Sequence, residues 1–113
     1  MYALEVKETI GNKNKARGVI VACLAREKIF IMTTKEDVIS EVFAELKRAE
    51  DKFPGFPEDV VHQAGILCEE SGEAMQAALD YYYGRKKTKD IYVCELIQTA
   101  AMALRALFAN AVD

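Results

Sequence analysis

The sequence predicts a mainly α fold. It reads as a helical bundle, three main helices per chain and completed by oligomerisation, preceded by a short N-terminal β hairpin or meander. Three observations predict it. Apolar residues recur every three to four positions through most of residues 34–110. Helix-breaking or capping residues stand where those patterns begin and end, at Thr33-Thr34, at Phe53-Pro54-Gly55-Phe56-Pro57 and at Gly84. Before them lie short β-branched runs of another periodicity. The chain accordingly divides into a β appendage (1–33) and a helical domain (34–113).

Taken in order, Tyr2 to Ile10 alternates, and Gly11-Asn12-Lys13-Asn14 reads as a turn. Gly18 to Leu24 and Lys28 to Ile31 are apolar runs joined by Ala25-Arg26-Glu27, too short for more than a tight connection. The appendage is a candidate oligomer contact. Thr33 and Glu36 have capping-box spacing, with Thr34 as the alternative cap. A first helix follows to about Lys52, apolar at Val38, Ile39, Val42, Phe43, Leu46 and Ala49, with Glu41, Glu45, Lys47 and Arg48 covering the remaining surface. Pro57 suits the first turn of a second helix, Glu58 and Asp59 its positive end, and Gly84 its stop near Tyr83. Thr88 or Asp90 can cap a third helix, whose apolar set runs from Ile91 through Val93, Cys94, Ile97, Ala101 and Leu104 to Leu107 and Phe108. The short basic connection between the last two makes them an antiparallel hairpin. Three helices of this size leave apolar faces uncovered, which is why association into a larger bundle is expected.

Among 113 residues, 51% are apolar, enough for one domain with a real core. A net charge of −3 argues against binding nucleic acid, since no basic excess exists to displace counterions. No apolar run reads as long enough to span a bilayer and no signal-peptide pattern opens the chain, so the expected compartment is the cytoplasm, with no membrane partner. Cys23, Cys68 and Cys94 form neither a disulfide framework nor a zinc pattern; Cys68 and Cys94 read as small core residues.

The stretch Leu67-Cys68-Glu69-Glu70-Ser71-Gly72-Glu73 carries the chemistry. Residues three and four apart share a helix face, so Glu69, Glu70 and Glu73 project into one sector. Their mutual repulsion falls if a hard divalent cation sits among them; the alternative is a solvated polar face. The third helix carries Glu95, Gln98 and Thr99 within an apolar pattern. The hairpin sets this insert level with the first acids to within about a turn. Four facing carboxylates flanked by apolar side chains favour a cation site.

Glu69-Glu70-x-x-Glu73, 21 intervening residues, then Glu95-x-x-Gln98 resembles the MazG-like all-α nucleoside triphosphate pyrophosphohydrolases, over about residues 35–110. Their pattern is Glu-Glu-x-x-Glu, a spacer with a loop, and Glu-x-x-Asp. The resemblance implies a homodimer or homotetramer. It implies magnesium-dependent cleavage (manganese being the alternative ion) of a nucleoside triphosphate to the monophosphate and pyrophosphate, often as housecleaning of the nucleotide pool. Carried over by position, Glu69, Glu70, Glu73 and Glu95 match the metal-binding carboxylates. Glu70 is the candidate for orienting the attacking water, a role the sequence cannot assign. Gln98 stands at the final motif position without its charge, and so leaves open a non-catalytic nucleotide-binding or scaffold relative.

His62, seven residues before Glu69, could touch a base or phosphate, or be a helix-face histidine bonded to a neighbour. It lacks the Glu-x-x-His spacing of di-iron bundles. Lys86 and Lys87 in the basic loop could attract a triphosphate or simply complement a helix end. Arg105 could contact phosphate or pair with an acid. Tyr81, Tyr82, Tyr83, Phe53 and Phe56 are aromatic candidates for a subunit contact or for stacking on a base. Restoring the motif charge with Gln98→Asp is expected to change metal affinity or hydrolysis rate; calorimetry and a rate assay that find both unchanged would make the departure inconsequential.

Overall fold

A computed structural model describes residues 18–23, 28–85 and 89–112, and the backbone of 5–7. Its elements are β1 (Glu5–Lys7), β2 (Val19–Cys23), β3 (Lys28–Met32), α1 (Lys35–Lys52), α2 (Val60–Tyr82) and α3 (Lys89–Ala111). The mainly helical class is as the sequence predicts. The strands form an antiparallel meander, β1-β2-β3, with Val21 opposite Phe30. The turn at 11–14, the connection at 25–27 and the proposed Thr88 cap lie outside the described residues.

Alternation decides how the sheet packs. Val21, Cys23 and Phe30 point to one face and are buried, whereas Ile29 and Ile31 point to the other and are exposed. The buried face joins Val42 of α1 and Cys94 and Ile97 of α3 in one apolar cluster. The strands thus share the core of the helices. Gly18 is closely packed at the start of β2: a Cβ there would lie 3.0 Å from Ile31 Cγ2 and 3.1 Å from Thr33 Oγ1, so those side chains would have to shift by a few tenths of an ångström.

The caps refine the helix boundaries. Thr34, not Thr33, opens α1: its Oγ1 accepts from the Asp37 amide at 3.1 Å. The reciprocal partner is Asp37 rather than Glu36, accepting from the backbone amides of Thr34 and Thr33. Those two backbone bonds hold the Asp37 carboxyl below the ordinary carboxylate range. Similarly, α2 begins after Pro57 and Glu58. Asp59 is its cap and accepts from the His62 amide at 3.0 Å. Gly84, at φ 69°, ends α2 as expected, letting the Arg85 amide donate to the Asp80 carbonyl at 2.8 Å.

Helix α3 is central, packing on α2, α1 and β2. Ala77 meets Ile91 and Tyr92 near the turn, and Asn110 Nδ2 donates to Gln63 Oε1 at 2.7 Å at the far end. These contacts make α2 and α3 antiparallel. By length and composition α3 could cross a bilayer, contrary to the sequence reading: one 18-residue window has mean hydropathy 1.4. Glu95 and Arg105 on its buried face interrupt the apolar residues without lowering that average enough, and core helices of soluble proteins meet the same criterion.

Several residues lie elsewhere than expected. Val38, Ile39 and Phe43 of α1 and Leu107 and Phe108 of α3 are exposed. Cys68 is exposed rather than in the core, because it falls on the outer face of α2. Glu45, read as a surface residue, is 1% exposed, since it shares the inward face with Val42 and Ala49. Thr34→Ala is expected to cost about 1 kcal/mol in a denaturant melt, the usual loss on removing a capping hydroxyl.

Candidate metal centre

Glu70 and Glu73 lie one turn apart on α2, and Glu95 faces them from α3. Gly84 stands midway in sequence between Glu73 and Glu95, which sets the two acids at the same level of the hairpin. One carboxylate oxygen from each of Glu70, Glu73 and Glu95 lies within 4.8 Å of the others. Oxygens on opposite sides of one cation are about 4 to 5 Å apart, so the three are spaced to hold one ion.

The electrostatics point the same way. Glu95 is 9% exposed and Glu70 half-buried, while Glu73 is exposed. Buried Oε2 atoms of both Glu70 and Glu95 have no hydrogen-bond partner. Burial, followed by repulsion from Glu73 and Glu70, pushes the Glu95 carboxyl up to about 7. The Glu70 carboxyl is raised by burial and then by Glu73, Glu69 and Glu45, with Arg48 opposing. A site made of mutually repelling carboxylates, with two buried oxygens unbonded, fits a hard divalent cation.

A cleft of about 110 Å³ adjoins this cluster. Glu70 lines both. The other walls include Glu45, Arg48 and Phe53 of α1 and its C-terminal end, and Gln98 and Arg105 of α3. Glu45 is bound by Arg48: Nε lies 2.9 and 2.8 Å from its two oxygens, and Nη2 lies 2.8 Å from Oε2. That bond keeps the Arg48 pKa above its ordinary value. Arg105 Nη2 donates to the Phe53 carbonyl at 2.8 Å, and its guanidinium lies over the Phe56 ring, 4.8 Å from the centroid.

The structure therefore unites Glu70, Glu73 and Glu95, with Gln98 and Arg105 in the adjoining cleft. Glu69 is exposed and outside that trio. His62 sits at the exposed start of α2, with Nδ1 3.8 Å from Asp59 Oδ2. Thr99 lines a different groove, beside Ser71 and Met75, and its hydroxyl donates to the Glu95 carbonyl. Lys86 and Lys87 lie outside the described residues. Glu45 and Arg48 were missed by the sequence reading. Their signal was present: Glu45 follows Val42 by three residues and precedes Ala49 by four, at helical spacing. A larger cavity, about 460 Å³, lies elsewhere, around Val19, Met32, Val38, Asp90 and Val93.

No protein-family model matches the chain, nor does any curated protein or solved structure. The functional reading rests on these residues and their geometry.

The raised carboxyls set a pH dependence for the metal-free protein. Between the ordinary value of 4.5 and about 7, folded Glu95 keeps a proton that the unfolded chain has lost. The folded state then binds more protons, so its stability falls as pH rises through this window and levels off above it. Thermal melts in chelator between about pH 5 and about pH 8 are expected to show this fall. Glu95→Gln should flatten it, and manganese should oppose it in the wild type.

Proposed function

We propose that the chain is a magnesium-dependent nucleoside triphosphate pyrophosphohydrolase, acting as a homo-oligomer. The observation that carries the reading is the convergence of Glu70, Glu73 and Glu95 from two helices, with buried oxygens left unbonded on two of them. Such a site is costly when empty and favourable when a divalent cation joins it. The same residues carry the motif resemblance, and the adjoining cleft supplies the cations that an anionic substrate needs.

Glu70, Glu73 and Glu95 would hold the ion. When bound, it would neutralise phosphate oxygens and make water a better nucleophile near neutral pH. Glu70 borders both the acidic trio and the cleft, and burial raises its proton affinity. It is the side chain best placed to accept the proton of a water attacking the α-phosphorus, as the bond to the bridging oxygen breaks and pyrophosphate leaves. Glu73 is the exposed member, so the site is open to solvent on its side. Exposed Val61, Met75 and Tyr82 on α2, with Leu107 and Phe108 on α3, are apolar surface for a second copy.

A second reading is a nucleotide-binding relative without turnover. Gln98 favours it, since one charge of the motif is missing.

Pyrophosphate release from a panel of nucleoside triphosphates, with diphosphates as controls, tests both. Release from a triphosphate is expected only with magnesium or manganese. Glu95→Gln should weaken manganese binding at least about tenfold, because even residues that merely orient metal ligands cost that much. Manganese binding without release from any nucleotide would select the second reading.

A further inference from the structure

Arg105 is the more deeply buried cation of the cleft. It is 9% exposed, yet no carboxylate pairs with it among the described residues. Its recorded partners are the Phe53 carbonyl and the face of Phe56. A buried cation without an anion costs free energy that one carbonyl and one ring only partly offset. Arg48 lines the same cleft. A guanidinium carries five N–H donors; Glu45 takes those on Nε and one on Nη2. The rest have no protein acceptor among the described residues, and the side chain is 37% exposed. Glu45 thus orients Arg48 while leaving one edge available.

Gln98 completes the picture. It lines the cleft with both arginines and, as an amide, neutralises neither. A carboxylate at that position would compete for them.

We infer that the cleft between α1 and α3 is an anion subsite that receives a phosphate group, with Arg105 and the edge of Arg48 that Glu45 leaves available as its donors, and with Gln98 adding no further negative charge. The volume, about 110 Å³, suits a group of this size and not a whole nucleotide. Glu70 belongs to both sites, so a phosphate here lies next to any ion held by Glu70, Glu73 and Glu95. A polyphosphate chain spanning the two is the ligand class that matches this neighbourhood, and that part of the inference rests on the function proposed above. Glu45 is a positioning residue, acting through Arg48.

Inorganic tripolyphosphate tests the subsite without a base or sugar. Calorimetric titration into the whole chain is carried out in chelator and again with manganese, with manganese affinity followed separately by electron paramagnetic resonance. Arg105→Gln keeps a donor for the Phe53 carbonyl. The double variant Glu45→Gln with Arg48→Gln removes the cation without stranding a buried carboxylate. Melting curves confirm that each is folded. Each variant is expected to weaken tripolyphosphate at least about tenfold, the scale of one charge-assisted hydrogen bond. Gln98→Asp should weaken it in chelator, where no ion can mask the added charge. Manganese affinity of Arg105→Gln should stay within about twofold of wild type. Unchanged tripolyphosphate affinity in the folded arginine variants, or no binding to the wild type in either buffer, overturns the inference. Wild type that binds tripolyphosphate in chelator through these arginines but takes up no manganese sustains the subsite while refuting the hydrolase reading.

Discussion

Three carboxylates brought together where two helices meet are the electrostatic constraint that this molecule has to satisfy. Glu70 and Glu95 are partly or largely removed from water, Glu73 stands beside them, and among the described residues none of the three forms an ion pair with a basic side chain. Glu45, a buried acid of α1, is instead matched by Arg48. The contrast is informative. Where a chain can place a guanidinium against a buried acid it satisfies both, and where it leaves acids facing one another the balance must come from protons or from a cation. Raised proton affinity at Glu95 and Glu70 is the metal-free solution to the same problem.

The scaffold serves that constraint. Ala74 and Ala77 on α2 are small, and their burial lets α3 approach closely just beyond the acids. The Gln63–Asn110 bond ties the far end of the hairpin, and Gly84 closes the near end. The β meander covers the opposite flank of α3 through Val21, Cys23 and Phe30, so Glu95 is held on a helix packed on several sides. A carboxylate on such a helix cannot swing away to relieve repulsion without disturbing the core.

Beside this acidic centre lies a cleft of mixed charge that offers guanidinium donors. Arg48 and Arg105 enter it from two different helices, and Glu70 lies on the boundary. A cation site next to guanidinium donors is a charge pattern that suits a polyphosphate, since neighbouring phosphates can be neutralised by different means. Gln98 belongs to the cleft, and its lack of charge makes sense there.

The helices, their order and the antiparallel hairpin were legible from local chemistry: apolar spacing, Pro54 and Pro57, and Gly84 act within a few residues of themselves. The trio Glu70, Glu73 and Glu95 was legible too, because helical periodicity and a short connection leave few ways to arrange it. Cap choice was less so. Asp37 and Glu36 differ by one position, and only backbone geometry selects between them. Glu69 shows the limit of reasoning by sector: it neighbours Glu70 in sequence, but rotation of about 100° carries it to the exposed side. Burial of Glu45 and the meeting of Arg48, Gln98 and Arg105 depended on how α1 rolls against α3, and exposure of Cys68 on which face of α2 stays uncovered. That roll is set by side chains distant in sequence, among them Val21, Phe30 and Ile97. Local sequence determined which residues share a helix face; only tertiary packing decided which faces meet, because burial and charge pairing are properties of two surfaces at once.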